Sequence, residues 1–91
     1  MFTHYLIFGD TKAQRTLEEN KKVWAEYRQA LVKHNLKLMG PFGPFGAKEG
    51  VVFILEGTIG NFEGYINSEA MQKCPITNTR TISLWKMPMA V

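Results

Sequence analysis

The sequence predicts an α+β protein built on one four-stranded antiparallel sheet, with elements in the order β-α-β-β-α-β. Three observations carry this. Residues 51–55 (Val-Val-Phe-Ile-Leu) are apolar on both faces, as a buried strand requires, and residues 2–8 read the same way. Between them, Leu17, Trp24, Tyr27 and Leu31 recur at helical spacing. The remaining periodic stretches are strand-like at 36–39, helical after Thr58 and strand-like again at 79–87, which completes the split βαβ order. The 91 residues make one domain, 1–91, with no linker or solenoid repeat inside it.

In the first strand, Phe2, His4, Leu6 and Phe8 point one way and Thr3, Tyr5 and Ile7 the other. Gly9-Asp10 ends it. The first helix begins at Thr16, because Thr16-Leu17-Glu18-Glu19 is a capping box: the hydroxyl takes an orphan amide and the Glu19 carboxylate reaches back. Val23 and Ala30 flank its apolar stripe, Lys21, Lys22, Glu26, Arg28 and Lys33 lie mostly off it, and the helix stops near His34-Asn35. Residues 36–39 start the second strand. Gly40-Pro41-Phe42-Gly43-Pro44-Phe45-Gly46 follows, and its prolines lack the donors a central strand needs, so this is an edge strand dissolving into a loop. Glu56-Gly57 closes strand three. Thr58 caps a second helix through Phe62, Tyr65 and Ile66, which residues 68–73 continue after an irregularity until Pro75. In the last strand Ile82 and Leu84 take one face, and Thr81, Ser83, Trp85 and Met87 the other.

Composition narrows the function classes. The net charge is +3, without a block of five like charges, so it speaks for solubility rather than for a phosphate-tracking surface. Cys74 is the only cysteine, which precludes an intrachain disulfide and a cysteine-based metal site. No signal peptide opens the chain and no apolar run approaches a membrane span, so the expected location is cytoplasmic. With strands one and three central and helices on one face only, the other sheet face is too apolar to leave in water. A second copy of the chain, packed sheet on sheet, is the expected cover.

The element order, the size and the two-faced sheet resemble the ferredoxin-like dimeric α+β barrel superfamily. So do a first strand ending at Gly9-Asp10, the exit from helix one into Leu38-Met39-Gly40-Pro41, and Ser68-Glu69-Ala70-Met71 ahead of strand four. That group includes YciI-like proteins, muconolactone isomerases, stress-responsive barrel proteins and small antibiotic-biosynthesis monooxygenases, and the Gly-Pro exit looks most like the YciI-like members. The resemblance implies a homodimer. It also implies, for YciI-like proteins, an active pair of an acid after strand one and a histidine on helix one. Asp10 stands at the acid position. The histidine position falls near Val23 or Trp24, neither of which is histidine, so the fold and the dimer are what carry over.

Candidate ligand-binding residues are Asn20, Trp24, Tyr27, Phe42 and Trp85. Asn20 interrupts the apolar stripe of helix one; its amide either points into a cavity beside Trp24 and Tyr27 or bonds a nearby loop. Trp24, Tyr27 and Trp85 either line an apolar pocket with polar tips or pack as core. Phe42, with Phe45, either lids a pocket or anchors the loop. His4 and Asp10 are the catalytic candidates, set against a satisfied core histidine and a turn aspartate bonding its own backbone. His34 complements the negative end of helix one. No metal or cofactor is called for.

The expected function is small-molecule binding by a homodimer, with a mostly apolar or aromatic ligand. If the protein is an enzyme, its chemistry is cofactor-independent: isomerase, lyase or monooxygenase-like. The alternatives are a non-catalytic dimerisation or regulatory module and an RNA-binding domain of the RRM type, which shares the element order. Strand three lacks the basic residues of an RRM surface, which argues against nucleic acid.

Overall fold

The computed structural model describes residues 2–89, and for Phe2 the backbone alone. The elements are β1 (Phe2–Thr11), α1 (Leu17–Val32), β2 (Lys37–Phe42), β3 (Val51–Glu56), α2 (Ile59–Ile66), a 3₁₀ helix (Glu69–Lys73) and β4 (Ile76–Trp85). The sheet is antiparallel in the order β2-β3-β1-β4, so the two strands apolar on both faces are central and the proline-bearing and basic strands are edges. This α+β arrangement is compatible with the ferredoxin-like plan.

The capping box closes α1 as its sequence requires. Glu19 N donates to Thr16 Oγ1 and Thr16 N donates to Glu19 Oε1, both at 3.1 Å. These bonds hold the Glu19 carboxyl below its usual range. At the other end Asn35 takes φ 57°, with Leu36 N bonded to Leu31 O at 3.1 Å and Asn35 N to Val32 O at 2.9 Å. That is a Schellman motif with asparagine in the left-handed position, so regular helix ends at Val32, slightly before the expected stop.

Register assigns every side chain to a face. On the covered face Leu38, Leu55 and Tyr5 lie abreast, with Phe53 beside Ile7. Trp24, Tyr27 and Leu31 of α1 and Tyr65 of α2 are buried in the same core. The Tyr5 ring stacks on Phe62 of α2 at 3.9 Å. Leu17 differs from the expected stripe. It is 70% exposed, because the first turn of α1 borders a surface pocket instead of the core.

On the open face, register pairs Met39 with Ile54, Ile54 with Leu6 and Leu6 with Ile82, an apolar row across all four strands. A second row joins Val52, Phe8 and Arg80, and a third joins Lys37, Glu56, His4 and Leu84. The side chain of Phe2, expected on this face, lies outside the described residues.

The limits of three strands, β1, β2 and β4, differ from expectation. β1 runs to Thr11, past a bulge between Phe8 and Asp10, and so offers β4 a partner from Ile76 instead of 79. Asn78, at φ 55°, breaks the alternation that would have announced this start. β4 stops at Trp85, where its ladder with β1 ends at Phe2. At the bulge the backbones close in: a Cβ on Gly9 would lie 2.7 Å from Thr77 O. β2 continues through Pro41 to Phe42, which an edge strand tolerates, with a register shift between Met39 and Phe42. Gly40 takes φ 111° at that irregularity, a conformation that suits glycine.

Candidate functional site

The irregularity in β2, the start of α1 and the start of β4 meet at one end of the sheet. They enclose a pocket of about 240 Å³ whose walls include Arg15, Asn20, Trp24, Pro41, Phe42 and Ile76. Helical spacing puts Asn20 and Trp24 on one face of α1, and the β2 bulge delivers Pro41 and Phe42 to the opposite wall. Trp24 is nearly buried, its ring edge-on to Phe53 at 5.4 Å and to Tyr27 at 5.9 Å. Phe42 is half exposed at the mouth. Arg15 Nη1 donates to Asn20 Oδ1 at 3.5 Å.

Two further depressions adjoin this pocket. One, of about 540 Å³, reaches along Arg15, Thr16 and Leu17; the other, of about 240 Å³, follows Lys21, Trp24, Arg28 and Pro41. Asn20 lines all three. A larger groove of about 890 Å³ lies at the other end of α1, beside Arg28, Lys37, Glu56 and Thr58. Its lining contains no aromatic ring and none of the candidate residues.

Asn20, Trp24 and Phe42 thus share a site. Tyr27 is fully buried away from the pocket lining, and its hydroxyl shares a hydrogen bond with that of Tyr65. The Cys74 thiol adjoins both hydroxyls, and burial pushes both phenols above their ordinary value. Trp85 is half exposed, nine residues along β4 from Ile76, about 30 Å at strand rise.

The catalytic candidates lie apart from each other. His4 Nδ1 shares a hydrogen bond with Thr3 Oγ1 at 2.9 Å, and Nε2 lies 3.5 Å from Glu56 Oε2 at one rim of the open face. Asp10, six residues on and about 20 Å away, accepts from the Gly50 amide at 3.3 Å and so pins a loop residue that lines the pocket. Its partner is this distant loop and not its own turn. His34 sets its ring 6.5 Å from that of Tyr65. Among the described residues no three His, Cys, Asp or Glu side chains converge as metal ligands.

A separate polar cluster sits at the Phe8 end of the open face. Arg80 donates to Glu49 through Nε at 2.7 Å and Nη2 at 3.1 Å, and its guanidinium lies 4.3 Å above the Phe8 ring. These bonds lower the Glu49 carboxyl to about 2.

Sequence reasoning passed over Arg15, Tyr65 and the Glu49–Arg80 pair. Arg15 precedes the helix and belongs to no periodic pattern; its one signal is a cation placed just before a positive helix end. The pairings of Tyr65 and Glu49 join residues 38 and 31 positions apart, which no local pattern registers. Comparison with protein-family models and with curated proteins finds no match for this sequence.

Proposed function

We propose that the chain is a ferredoxin-like protomer of a homodimeric α+β barrel that binds a small, mostly apolar or aromatic molecule beneath the first half of α1. The observation that carries the dimer is the unbroken row Met39–Ile54–Leu6–Ile82 on the open face. A small domain has little core to spare, and an apolar row across a whole sheet is what a symmetric sheet-on-sheet contact buries. The ligand reading rests on the pocket that joins Asn20, Trp24 and Phe42. Its lining holds no carboxylate, imidazole or thiol, so its side chains support binding better than turnover. A cytoplasmic location fits the single buried thiol of Cys74.

The RRM reading keeps one open-face aromatic, Phe8 of β1 beneath Arg80, but has none on β3. Phe53, the one aromatic residue of β3, is buried under the helices, and Val52 and Ile54 face the open side. The test is light scattering across a dilution series, on the wild type and on Ile82→Lys. Ile82 is 39% exposed on an edge strand, so a lone protomer accepts lysine there, whereas an apolar interface does not. A wild-type dimer that Ile82→Lys converts to a folded monomer is the expected result. A wild-type monomer at every concentration overturns the barrel.

A further inference from the structure

We infer that the pocket beside Asn20 takes a small organic anion, a carboxylate on a flat apolar body. This rests on the pocket reading above and adds the class of ligand. The lining supplies one cation, the Arg15 guanidinium, and no acid. Both adjoining depressions are also free of acidic residues, and one adds Lys21 and Arg28.

Arg15 is unspent. It makes no ion pair with any described residue, and its one side-chain hydrogen bond is the long contact with Asn20. Of the two acids that follow it, Glu18 forms no ion pair with it, and Glu19, although it feels the Arg15 charge, is hydrogen-bonded to the Thr16 amide. Arg15 is also partly buried just before the N-terminus of α1, where the helix dipole disfavours a cation and favours an anion. A carboxylate set there meets the planar guanidinium fork that matches its two oxygens. Asn20 accepts from Arg15 through Oδ1, which leaves its side-chain N–H groups free to donate to the same anion. Trp24, Pro41 and Phe42 then flank the apolar body. At about 240 Å³ the pocket falls below the range of roughly 300–1,000 Å³ for drug-sized ligands, which points to a single small ring.

The experiment titrates the full chain with benzoate, benzamide and benzylamine, following the Trp24 indole and Asn20 side-chain amide resonances by NMR. Benzoate is expected to shift both signals and to bind at least tenfold more tightly than benzamide, with benzylamine weakest. Arg15→Gln, at a position outside the core, is expected to erase the benzoate preference, bringing benzoate to within about twofold of benzamide. Equal binding of benzoate and benzamide, or a preference that survives Arg15→Gln, overturns the anion and leaves the apolar pocket standing. No shift at Trp24 with any of the three overturns both.

Discussion

Replacing Tyr27 by phenylalanine removes one hydroxyl from a buried pair and strands the other. Tyr27 and Tyr65 are 0% and 1% exposed, and each hydroxyl has the other as its main partner. A buried polar group left without its hydrogen bond costs about 1–3 kcal/mol. The Cys74 thiol, a weak donor and acceptor, gives the stranded Tyr65 hydroxyl partial relief, which places Tyr27→Phe at about 1–2 kcal/mol. Tyr65→Phe should cost a similar amount. The double variant strands nothing, so it should cost clearly less than the two single changes together, with a coupling of about 1 kcal/mol or more. Urea unfolding at one fixed protein concentration measures the cycle, and each kcal/mol should appear as roughly 4–8 °C in Tm for a domain of this size. Single costs that add in the double variant within about 0.5 kcal/mol would refute the buried hydroxyl pair. The cycle also predicts pH behaviour. Both phenols are held above their ordinary value of 10.0, so the folded protein stays protonated where the unfolded chain ionises. Stability is therefore full below about pH 10 and falls as pH rises beyond it, and the double variant should show a shallower alkaline limb.

Three further outcomes are expected. Glu49→Gln should flatten the acid limb of stability, because a carboxyl lowered to about 2 stabilises the fold above its ordinary value of 4.5 and loses that contribution as pH falls from there toward 2; urea midpoints measured from pH 6 down to pH 2 check it. Thr16→Ala removes one partner of the capping box and should cost about 1 kcal/mol, read as a lowered Tm without a change of fold by circular dichroism. Gly9→Ala forces a methyl to within 2.7 Å of the Thr77 carbonyl and should loosen the start of β4, seen as faster amide exchange at 76–80 than in the wild type.

Local signals carried much of the fold. The Thr16 capping box, the apolar runs of β1 and β3 and the left-handed Asn35 are all properties of neighbouring residues, and each appears where the sequence places it. Strand order followed as well, because prolines and charges mark edges. The limits of β1, β2 and β4 did not follow, since a strand extends as far as its partner does and bulges interrupt the alternation that would show it. The site was legible in part. Asn20 stood out as a polar residue on an apolar stripe, Trp24 as an aromatic on that stripe and Phe42 as an aromatic in the Gly-Pro-Phe stretch. Arg15 was silent until the end of the sheet brought it to Asn20.

By itself, the sequence determined the element order, the two central strands and the expectation that one sheet face would be apolar. It determined these because periodicity and capping act within a few residues. Only the tertiary structure decided which set of β1 side chains faces outward, which aromatics meet in a pocket and which are sealed away. Face and register depend on pairings between strands far apart in the chain, so Tyr27 became half of a buried hydroxyl pair and Trp85 was carried to the far end of β4. The placement of Arg15 above a pocket without an acid follows from the same long-range pairings, because the pocket exists only where α1, β2 and β4 converge.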